Sequence, residues 1–471
     1  MARVTKCTLQ ALLVTGLVGL LFARAAGADA TGIRVNQSPP EHFRLENGLE
    51  VLLQSEPRQP LVATIMSYDV GARDDPPGYE GLAHLIEHLS YSRSRHLPRL
   101  AALSELANAG SPLFNGVTGR DNTFYFSVVE PSRVALPLWL ESERLGFTLE
   151  RVDAAALAHE RKIIRNEVLG ARDRERWYLP VWQRQYPEAH PYFTPQDPTA
   201  GTDSVELSAV LGHFQRAYRP DNARLVIVGP IDTPRTSELV HQYFDAIPNP
   251  PRRLARRSAP RRVFPGRETL HVEDYIYTGR HLVMVWPAPP QSSPDWIPYL
   301  ALVRLLAGSG VGSLNHHLVD DNPFAATVKA DLDSADLDAS LTIEVDLGVD
   351  PRTNFERAEW AVEVVLSRFG QVPVDEVSLS RLRANAALRL LEKFEDATAR
   401  AFLHLDSLRR TGRPYSVPDE LARWSALRAE TLLDVARRYF DPQRRLSARL
   451  EESKRWVPTG GRISYSLERA P

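Results

Sequence analysis

The N-terminal part of the chain alternates between short segments with strand periodicity and longer segments with helical periodicity. Residues 43–46 and 49–53 flank Asn47-Gly48, the dipeptide that most favours a tight hairpin turn between two strands. The pattern predicts further strands at 61–70, in the second half of 114–129 and at 223–228, and helices at 97–109, at 132–147, at 153–169 and in a stretch ending at Phe244. We therefore expect a sheet with helices packed against it.

The C-terminal part repeats this order of elements. Its pattern predicts strands over 269–286 and at 339–345, and helices at 296–307, 355–369, 375–410 and 418–439. In both parts a helix ends in tyrosine, turns through proline and enters a strand, at 218–225 and again at 439–446. The sequence therefore predicts an α+β fold made of two similar α/β-sandwich units in tandem, each with a mostly antiparallel sheet.

A segment rich in proline and arginine, residues 251–266, separates the two units and reads as an exposed linker. Its arginines could serve an acidic partner, but we expect them to be solvated charges of the linker. The domain boundaries that follow are 1–28 for a leader, 29–250 for the N-terminal unit, 251–266 for the linker and 267–471 for the C-terminal unit.

Residues 1–28 have the layout of a secretory signal peptide. Arg3 and Lys6 precede an uncharged apolar run at 11–22, and small residues follow that run. A mitochondrial presequence is the alternative, because the segment carries arginine and has no acidic residue before Asp29. Transit peptides are amphipathic, however, whereas this run is apolar all round, so we expect export and a periplasmic location.

Composition limits the chemistry of the mature chain. The single cysteine, Cys7, lies in the leader, so the mature chain has no thiol for a disulfide or for a metal ligand. Lys and Arg number 57 against 59 Asp and Glu, a balance that argues against a nucleic-acid binder. No later apolar run approaches about 18 residues, so we expect no stable membrane span.

The segment His84-Leu85-Ile86-Glu87-His88 is the strongest chemical signal in the chain. On a helix, the two histidines project from one face, one turn apart, and can offer two imidazole nitrogens to one Zn²⁺. Glu87 shares their side of the helix, where a carboxylate can take a proton from a metal-bound water. The sequence therefore predicts a metal site with a base beside it.

A third ligand must be acidic or another histidine, because the mature chain has no cysteine. Glu160 and Glu167 are seven residues apart in the predicted helix 153–169, two turns along one face. Two histidines and a glutamate form a known catalytic zinc set. The spacing alone does not choose between the two glutamates.

These residues resemble the pitrilysin and insulin-degrading-enzyme family of zinc metallopeptidases with the inverted motif HxxEH. The resemblance is to its half-length branch, which includes mitochondrial processing peptidase and bacterial two-subunit relatives, and it runs from about residue 43 to 450. Gly116 stands where the family has alanine. The segments that carry the resemblance are 71–78 leading into 81–88, Asn115-Gly116-Val117-Thr118 with Asp121, Thr123 and Tyr125, then 159–167, and His190-Pro191-Tyr192.

The resemblance implies a zinc endopeptidase whose fold forms half of a clamshell. It implies that extended or unfolded peptides lie along a sheet edge near 114–118. It also implies a role for each matching residue: metal ligands His84, His88 and Glu167, catalytic base Glu87, Glu160 as the acid that orients a ligand, and Asn115 on the substrate backbone.

One departure from the family pattern concerns the C-terminal unit. Active half-length members use an Arg after a glycine-rich turn and a Tyr further on, and here Ser313 and Ala326 stand at those positions. Loss of one such donor typically costs about 10²–10³ in rate. We therefore expect a metal-bearing subunit that works with a related chain supplying both residues, with a homodimer as the alternative assembly.

Two other functions fit the same resemblance. The first is a non-catalytic scaffold or assembly subunit, although such relatives generally lose part of the zinc set. The second is a subunit of a mitochondrial presequence-processing peptidase, which depends on where residues 1–28 direct the chain.

Overall fold

The computed structural model describes residues 38–175, 178–197, 199–274, 279–348, 353–452 and 464–469. The expected signal peptide, residues 1–28, lies outside the described residues. Two six-stranded sheets follow one another along the chain, each with its own helices, so the predicted tandem α+β fold is confirmed.

The N-terminal sheet has the strand order β1-β2-β6-β3-β5-β4. The pair β2 and β6 is parallel and the other neighbours are antiparallel. The predicted hairpin around Asn47-Gly48 is present, with Phe43 opposite Val51. Its strands are β1 Glu41–Arg44, β2 Glu50–Ser55, β3 Val62–Tyr68, β4 Leu113–Thr118, β5 Thr123–Val129 and β6 Ala223–Gly229.

The C-terminal sheet repeats this topology in the order β12-β7-β11-β8-β10-β9, again with a single parallel pair, β7 with β11. Strands β7, β11, β8, β10 and β9 therefore take the places of β2, β6, β3, β5 and β4. The strands are β7 Glu268–Asp274, β8 Arg280–Pro287, β9 Thr327–Ser334, β10 Ala339–Asp346, β11 Leu446–Glu452 and β12 Ser464–Arg469.

Fourteen α-helices are present in the described residues. None of them combines the length and apolar character that crossing a lipid bilayer requires. They are α1 Leu82–Ser90, α2 Ala101–Asn108, α3 Ala135–Phe147, α4 Ala154–Glu175, α5 Leu179–Gln185, α6 Ala200–Ser204, α7 Leu207–Ala217, α8 Thr233–Phe244, α9 Trp296–Leu306, α10 Phe355–Gln371, α11 Glu376–Glu395, α12 Ala397–Thr411, α13 Val417–Ser425 and α14 Ala429–Tyr439.

Two of the predicted helices are each divided in the structure. The expected helix 375–410 ends at Glu395, because Asp396 leaves the helical conformation and its side chain accepts the backbone N–H of Ala399 to start α12. The expected helix 418–439 is likewise divided into α13 and α14. The first break makes α12 a separate helix that can pack on a different surface.

Each sheet is covered on one face by a helix from the other half of the chain. Helix α12 packs on β3 and β6 of the N-terminal sheet, with Ala401 and Leu405 against Ile65 and Val226. Helix α5 packs on the C-terminal sheet, where Val181 joins an apolar cluster with strand residues. The two units are therefore held together by an exchange of helices.

The expectation that the arginines of the segment 251–266 are solvated is wrong for Arg256 and Arg257, which are partly buried. Arg256 donates to the Asp121 carbonyl at 2.5 Å and lies 3.3 Å from the Asp74 carboxylate. Arg257 donates to the Asp75 carbonyl at 3.0 Å. These arginines bind the loops beside α1, because those loops present carboxylates and free carbonyls.

Candidate metal centre

Helix α1 is fixed by its apolar face and by a distant cap. Leu82, Leu85, Ile86 and Leu89 are fully buried against the N-terminal sheet. Gly81 precedes the helix with φ +90°, a left-handed conformation that favours glycine. The Asp75 carboxylate accepts the N–H groups of Gly81 and Ala83, both at 2.8 Å, which satisfies donors at the start of the helix.

The two histidines of α1 meet Glu167 of α4. The Nε2 atoms of His84 and His88 lie 3.9 Å and 3.4 Å from the two carboxylate oxygens of Glu167. Ligand atoms of the three residues all lie within 4.8 Å of one another. A tetrahedral zinc site with bonds of about 2.0–2.1 Å places neighbouring ligand atoms about 3.4 Å apart. The arrangement therefore fits Zn²⁺ with small side-chain adjustments.

Glu160 occupies the other side of His88. Its Oε2 lies 3.5 Å from His88 Nδ1, and Arg99 lies 3.4 Å from its Oε1. Burial alone would raise the pKa of Glu160, but the bond to His88 lowers it below its ordinary value. The carboxylate holds the imidazole by one nitrogen while the other nitrogen faces Glu167.

The two imidazoles have different proton affinities. Burial lowers the pKa of His84, and the neighbouring His88 lowers it further. Burial also acts to lower the pKa of His88, but Glu160, Glu87 and Glu167 raise it above its ordinary value. His84 is thus the more readily neutral of the two imidazoles. The three carboxylates give the cluster an excess of negative charge that suits a cation.

Glu87 faces the same space and is fixed by the edge strand β4. It is 7% exposed, and its Oε2 accepts the Thr118 hydroxyl at 2.6 Å. A Cβ on Gly116 would lie 2.9 Å from Glu87 Oε1. Strand β4 therefore approaches α1 so closely that a larger residue at 116 requires the Glu87 side chain to move.

The centre opens into a cleft of about 880 Å³ between α1, α2, α4 and β4. Asn115 lies on β4 at the cleft, where its Oδ1 accepts the backbone N–H of Gly116 at 3.0 Å. β4 is the last strand of its sheet, so among the described residues one of its two edges has no neighbouring strand. The cleft is thus lined by the edge strand near which the family resemblance places an extended peptide.

The sequence analysis did not predict the buried support beneath α1. Arg144 of α3 donates to the Ser90 hydroxyl at 2.8 Å and pairs with Glu141 at 2.9 Å. Its guanidinium lies 3.7 Å from the centre of the Tyr125 ring and 4.6 Å from that of Tyr91. Arginines on a helix are usually exposed, so the sequence does not predict that Arg144 is buried. The only residue of this support that the motif analysis named is Tyr125.

Motif residue Asp121 joins the two halves of the chain. Its carboxylate accepts from Arg73 at 2.9 Å and from the Tyr192 hydroxyl at 2.8 Å. It also accepts the backbone N–H of Asp336, in the turn between β9 and β10, at 2.8 Å. The Tyr192 hydroxyl in turn accepts the N–H of Leu337 at 3.0 Å. Asp121 and Tyr192 are therefore structural links and do not contact the metal centre.

The two positions with missing donors are occupied by small side chains. Ser313 is 2% exposed, and its hydroxyl accepts the backbone N–H of His316 at 3.2 Å. Ala326 is exposed at the start of β9. Neither side chain can present a cation or a phenol to a substrate.

Two family models match the chain. The model described as "Insulinase (Peptidase family M16)" matches residues 50–172, and the model described as "Peptidase M16 inactive domain" matches residues 204–385. Together they cover more than half of the chain. The first match contains every residue of the candidate metal centre, and the second covers most of the C-terminal unit.

Individual relatives agree with these matches. Zinc protease PqqE of Helicobacter pylori is 22% identical over 414 residues, which are 85% of this chain and 90% of that protein. Mitochondrial-processing peptidase subunit beta of Lentinula edodes is 23% identical over 369 residues, 74% of this chain and 76% of that protein. The crystal structure of a protease from Helicobacter pylori gives a TM-score of 0.78 at 20% identity, covering 88% of this chain and 100% of that one.

Proposed function

The chain belongs to peptidase family M16, and from that premise we propose that it is a zinc-dependent endopeptidase acting on extended or unfolded peptides. The observation that carries the proposal is the convergence of His84, His88 and Glu167, whose ligand atoms lie within 4.8 Å of one another. Three protein ligands leave a fourth position of a tetrahedral site open, as catalytic zinc sites require. The name of the Helicobacter pylori relative, a zinc protease, supports the same assignment.

The residues around the centre can each take one part of a hydrolysis. Zn²⁺, when bound, would supply the Lewis acid that polarises a peptide carbonyl and makes water acidic. Glu87 is the base: its Oε2 is held by Thr118, which leaves Oε1 to take a proton from the attacking water and pass it to the leaving amine. Glu160 is a positioning residue, because it holds His88 through Nδ1.

The substrate binds as an added strand along β4. An edge strand offers backbone N–H and C=O groups to an extended chain, and a folded protein cannot present its backbone in this way. Asn115 lies on that edge beside the cleft and would bind the substrate backbone.

The C-terminal unit does not complete the site, so we propose that a related subunit does. Ser313 is buried and Ala326 has no polar group, whereas the resemblance calls for an Arg and a Tyr at these positions. A sister chain with both residues would form a heterodimer with this metal-bearing subunit. The fungal relative is itself named as the beta subunit of a peptidase.

The leader and domain boundaries complete the proposal. Residues 1–28 would be removed on export to the periplasm, and the mature chain would consist of units 29–250 and 267–471 joined by 251–266.

Metal content and peptidase activity test the assignment together. We expect one Zn²⁺ per chain by elemental analysis, and we expect His84→Ala to lose the metal. Glu87→Gln should keep the metal and lose activity on an unfolded fluorogenic peptide by about 10²–10⁴. His241→Ala, a change to an exposed histidine paired with Asp245, is the matched control and should alter neither. Stoichiometric metal with activity unaffected by Glu87→Gln would contradict the assigned base.

The need for a partner is tested separately. The lone chain should cleave the peptide at least about 10²-fold more slowly than the chain mixed with a sister subunit that carries the Arg and Tyr. Full activity from the monodisperse lone chain would refute the division of labour. A chain that binds no zinc and gains no activity with any partner would instead be a scaffold subunit.

A further inference from the structure

The helix that corresponds to α1 in the C-terminal half is α9. It follows β8 as α1 follows β3, and it packs against α11 as α1 packs against α4. In α1, His84 and His88 are half-buried and the three residues between them are buried. Residues 300–304 of α9 show the same burial pattern. Leu300 and Arg304 therefore occupy the positions of His84 and His88.

The helix that corresponds to α4 is α11, and its register can be set in the same way. In α4, residues 157, 160 and 164 are buried. In α11, residues 379, 382 and 386 are buried with the same spacing, so we match these two sets of positions. In this register Leu382 corresponds to Glu160 and Arg389 to Glu167, and residues 167 and 389 are both exposed. In the C-terminal half, Arg304 and Arg389 thus occupy the positions that His88 and Glu167, two of the proposed metal ligands, occupy in the N-terminal half.

These arginines line a cleft of about 1010 Å³ between α9, α10, α11 and the glycine-rich turn 308–312. Arg368 and Arg381 also line the cleft, and Arg368 lies 3.5 Å from where a Cβ on Gly312 would be. The one carboxylate in the lining, Asp375, accepts the backbone N–H of Ser378 at 2.9 Å. In the part of the chain that the structure describes, none of the four arginines forms an ion pair with a carboxylate.

The charge of this arginine cleft is concentrated and partly desolvated. Arg304 is half-buried, with its guanidinium 4.4 Å from the centre of the Trp424 ring. Burial, and then the nearby charge of Arg389, lower the pKa of Arg304 below its ordinary value. An anion placed between the two guanidinium groups would remove this repulsion and accept their N–H groups.

We propose that the arginine cleft binds the carboxylates of an acidic peptide segment, so that this chain prefers substrates that carry one. The binding chemistry is the recognition of oxyanions by guanidinium, which carboxylate and phosphate share. The size of the cleft favours several residues of a peptide, because about 1010 Å³ is far more than one phosphate fills. The identification of the peptide as a substrate rests on the proposed function, whereas binding itself does not.

The test measures binding of a fluorescent glutamate-rich decapeptide by anisotropy, in the Glu87→Gln background so that hydrolysis cannot interfere. A decapeptide with glutamine in place of glutamate is the neutral probe. We expect Arg304→Gln/Arg389→Gln to weaken binding of the acidic probe by about tenfold or more, because the substitutions remove two guanidinium groups that would hold its carboxylates. The control Arg44→Gln/Arg235→Gln removes two exposed arginines outside the cleft and should change binding by less than about twofold.

Three results would overturn the proposal. The first is equal loss in both double variants, which would indicate general charge attraction, and the second is equal binding of the neutral probe. The third is full displacement of the acidic probe by inorganic phosphate at equal concentration, which would indicate a small-anion site. Arg389→Gln alone, at an exposed position, repeats the measurement if the double variant does not fold. Because hydrolysis is disabled throughout, failure here leaves the peptidase proposal untouched.

Discussion

Helix α12 joins the two halves through a buried ion pair that a single substitution can break. Arg400 of α12 lies 2.8 Å from the Glu56 carboxylate at the end of β2, and their side chains are 2% and 4% exposed. Arg400 also donates through Nε to the Phe394 carbonyl at 2.8 Å. Replacing Arg400 by methionine keeps much of the side-chain volume but leaves Glu56 and that carbonyl without these donors.

The expected loss of stability follows from what remains around Glu56. Removing one partner of a buried ion pair typically costs about 3–5 kcal/mol. Arg58 stays 3.0 Å from Glu56, but its side chain is 61% exposed, so it compensates only in part. We therefore expect Arg400→Met to lower the free energy of unfolding by about 3 kcal/mol.

The same pair makes stability depend on pH in a defined window. Although burial acts to raise it, hydrogen bonds from Arg58 and Arg400 lower the pKa of Glu56 from 4.5 to about 2. The folded state therefore holds this proton less tightly than the unfolded state does. The stability that Glu56 contributes is present above pH 4.5 and is lost as the pH falls towards about 2. Arg400→Met should flatten this dependence, because the folded-state pKa rises towards its ordinary value.

Urea unfolding followed by tryptophan fluorescence, at neutral pH and at several acidic pH values, measures both effects. The control is Arg58→Met, which removes the exposed partner of the same carboxylate and should cost less than about 1 kcal/mol. Equal losses for the two variants, or identical pH dependence in Arg400→Met and the unmodified chain, would refute this account of how α12 is held.

Two further predictions concern the metal centre. Glu160→Gln should weaken zinc affinity by about 10–100-fold in competition with a chelator, because Glu160 orients His88 without being a ligand. It should leave the unfolding midpoint of the metal-free chain nearly unchanged, and unaltered zinc affinity would contradict this role. Gly116→Val should reduce peptide hydrolysis more than tenfold while zinc content stays at one per chain, because the added side chain displaces Glu87; retained activity would show that the strand can move away.

Much of the fold could be predicted because its signals are local. Asn47-Gly48 dictates a hairpin, and the apolar spacing of α1 fixes which face is buried and hence that His84 and His88 share the other. Chain duplication was visible in the two tyrosine-to-proline turns, and the matching strand orders confirm it. Such features depend on residues a few positions apart, for which periodicity is informative.

The elements that the pattern missed are those whose surroundings are not local. Strand β9 has only one buried residue, Ala330, because it lies at the sheet edge, so its apolar alternation is weak. The break at Asp396 falls inside continuous helical periodicity on both sides, and only a capping aspartate marks it. Edge position and helix exchange both depend on tertiary contacts that a single segment does not encode.

In the candidate site, too, local features could be predicted from the sequence and those set by tertiary contacts could not. The pair His84 and His88 followed from spacing, whereas spacing left Glu160 and Glu167 open as the third residue. The family resemblance implied Glu167, and the crossing of α1 and α4 places its carboxylate opposite both Nε2 atoms. The buried Arg144 and the links made by Asp121 join residues that are far apart in sequence. Burial and partner assignment of this kind come from the assembled core and not from composition.

The burial of Ser313 limits which side chains this position can hold, including the arginine that the family resemblance calls for. Its hydroxyl accepts the N–H of His316 from a position that is 2% exposed. An arginine in this space would displace neighbouring atoms or leave a charge without a partner, and either costs several kcal/mol. The turn after α9 is thus packed around a small residue, so Ser313→Arg alone would not place a cation at this position without such a cost. The two halves therefore share a scaffold but differ where these helices meet: the N-terminal half has His88 and Glu167 on α1 and α4, and the C-terminal half has Arg304 and Arg389 at the corresponding positions of α9 and α11.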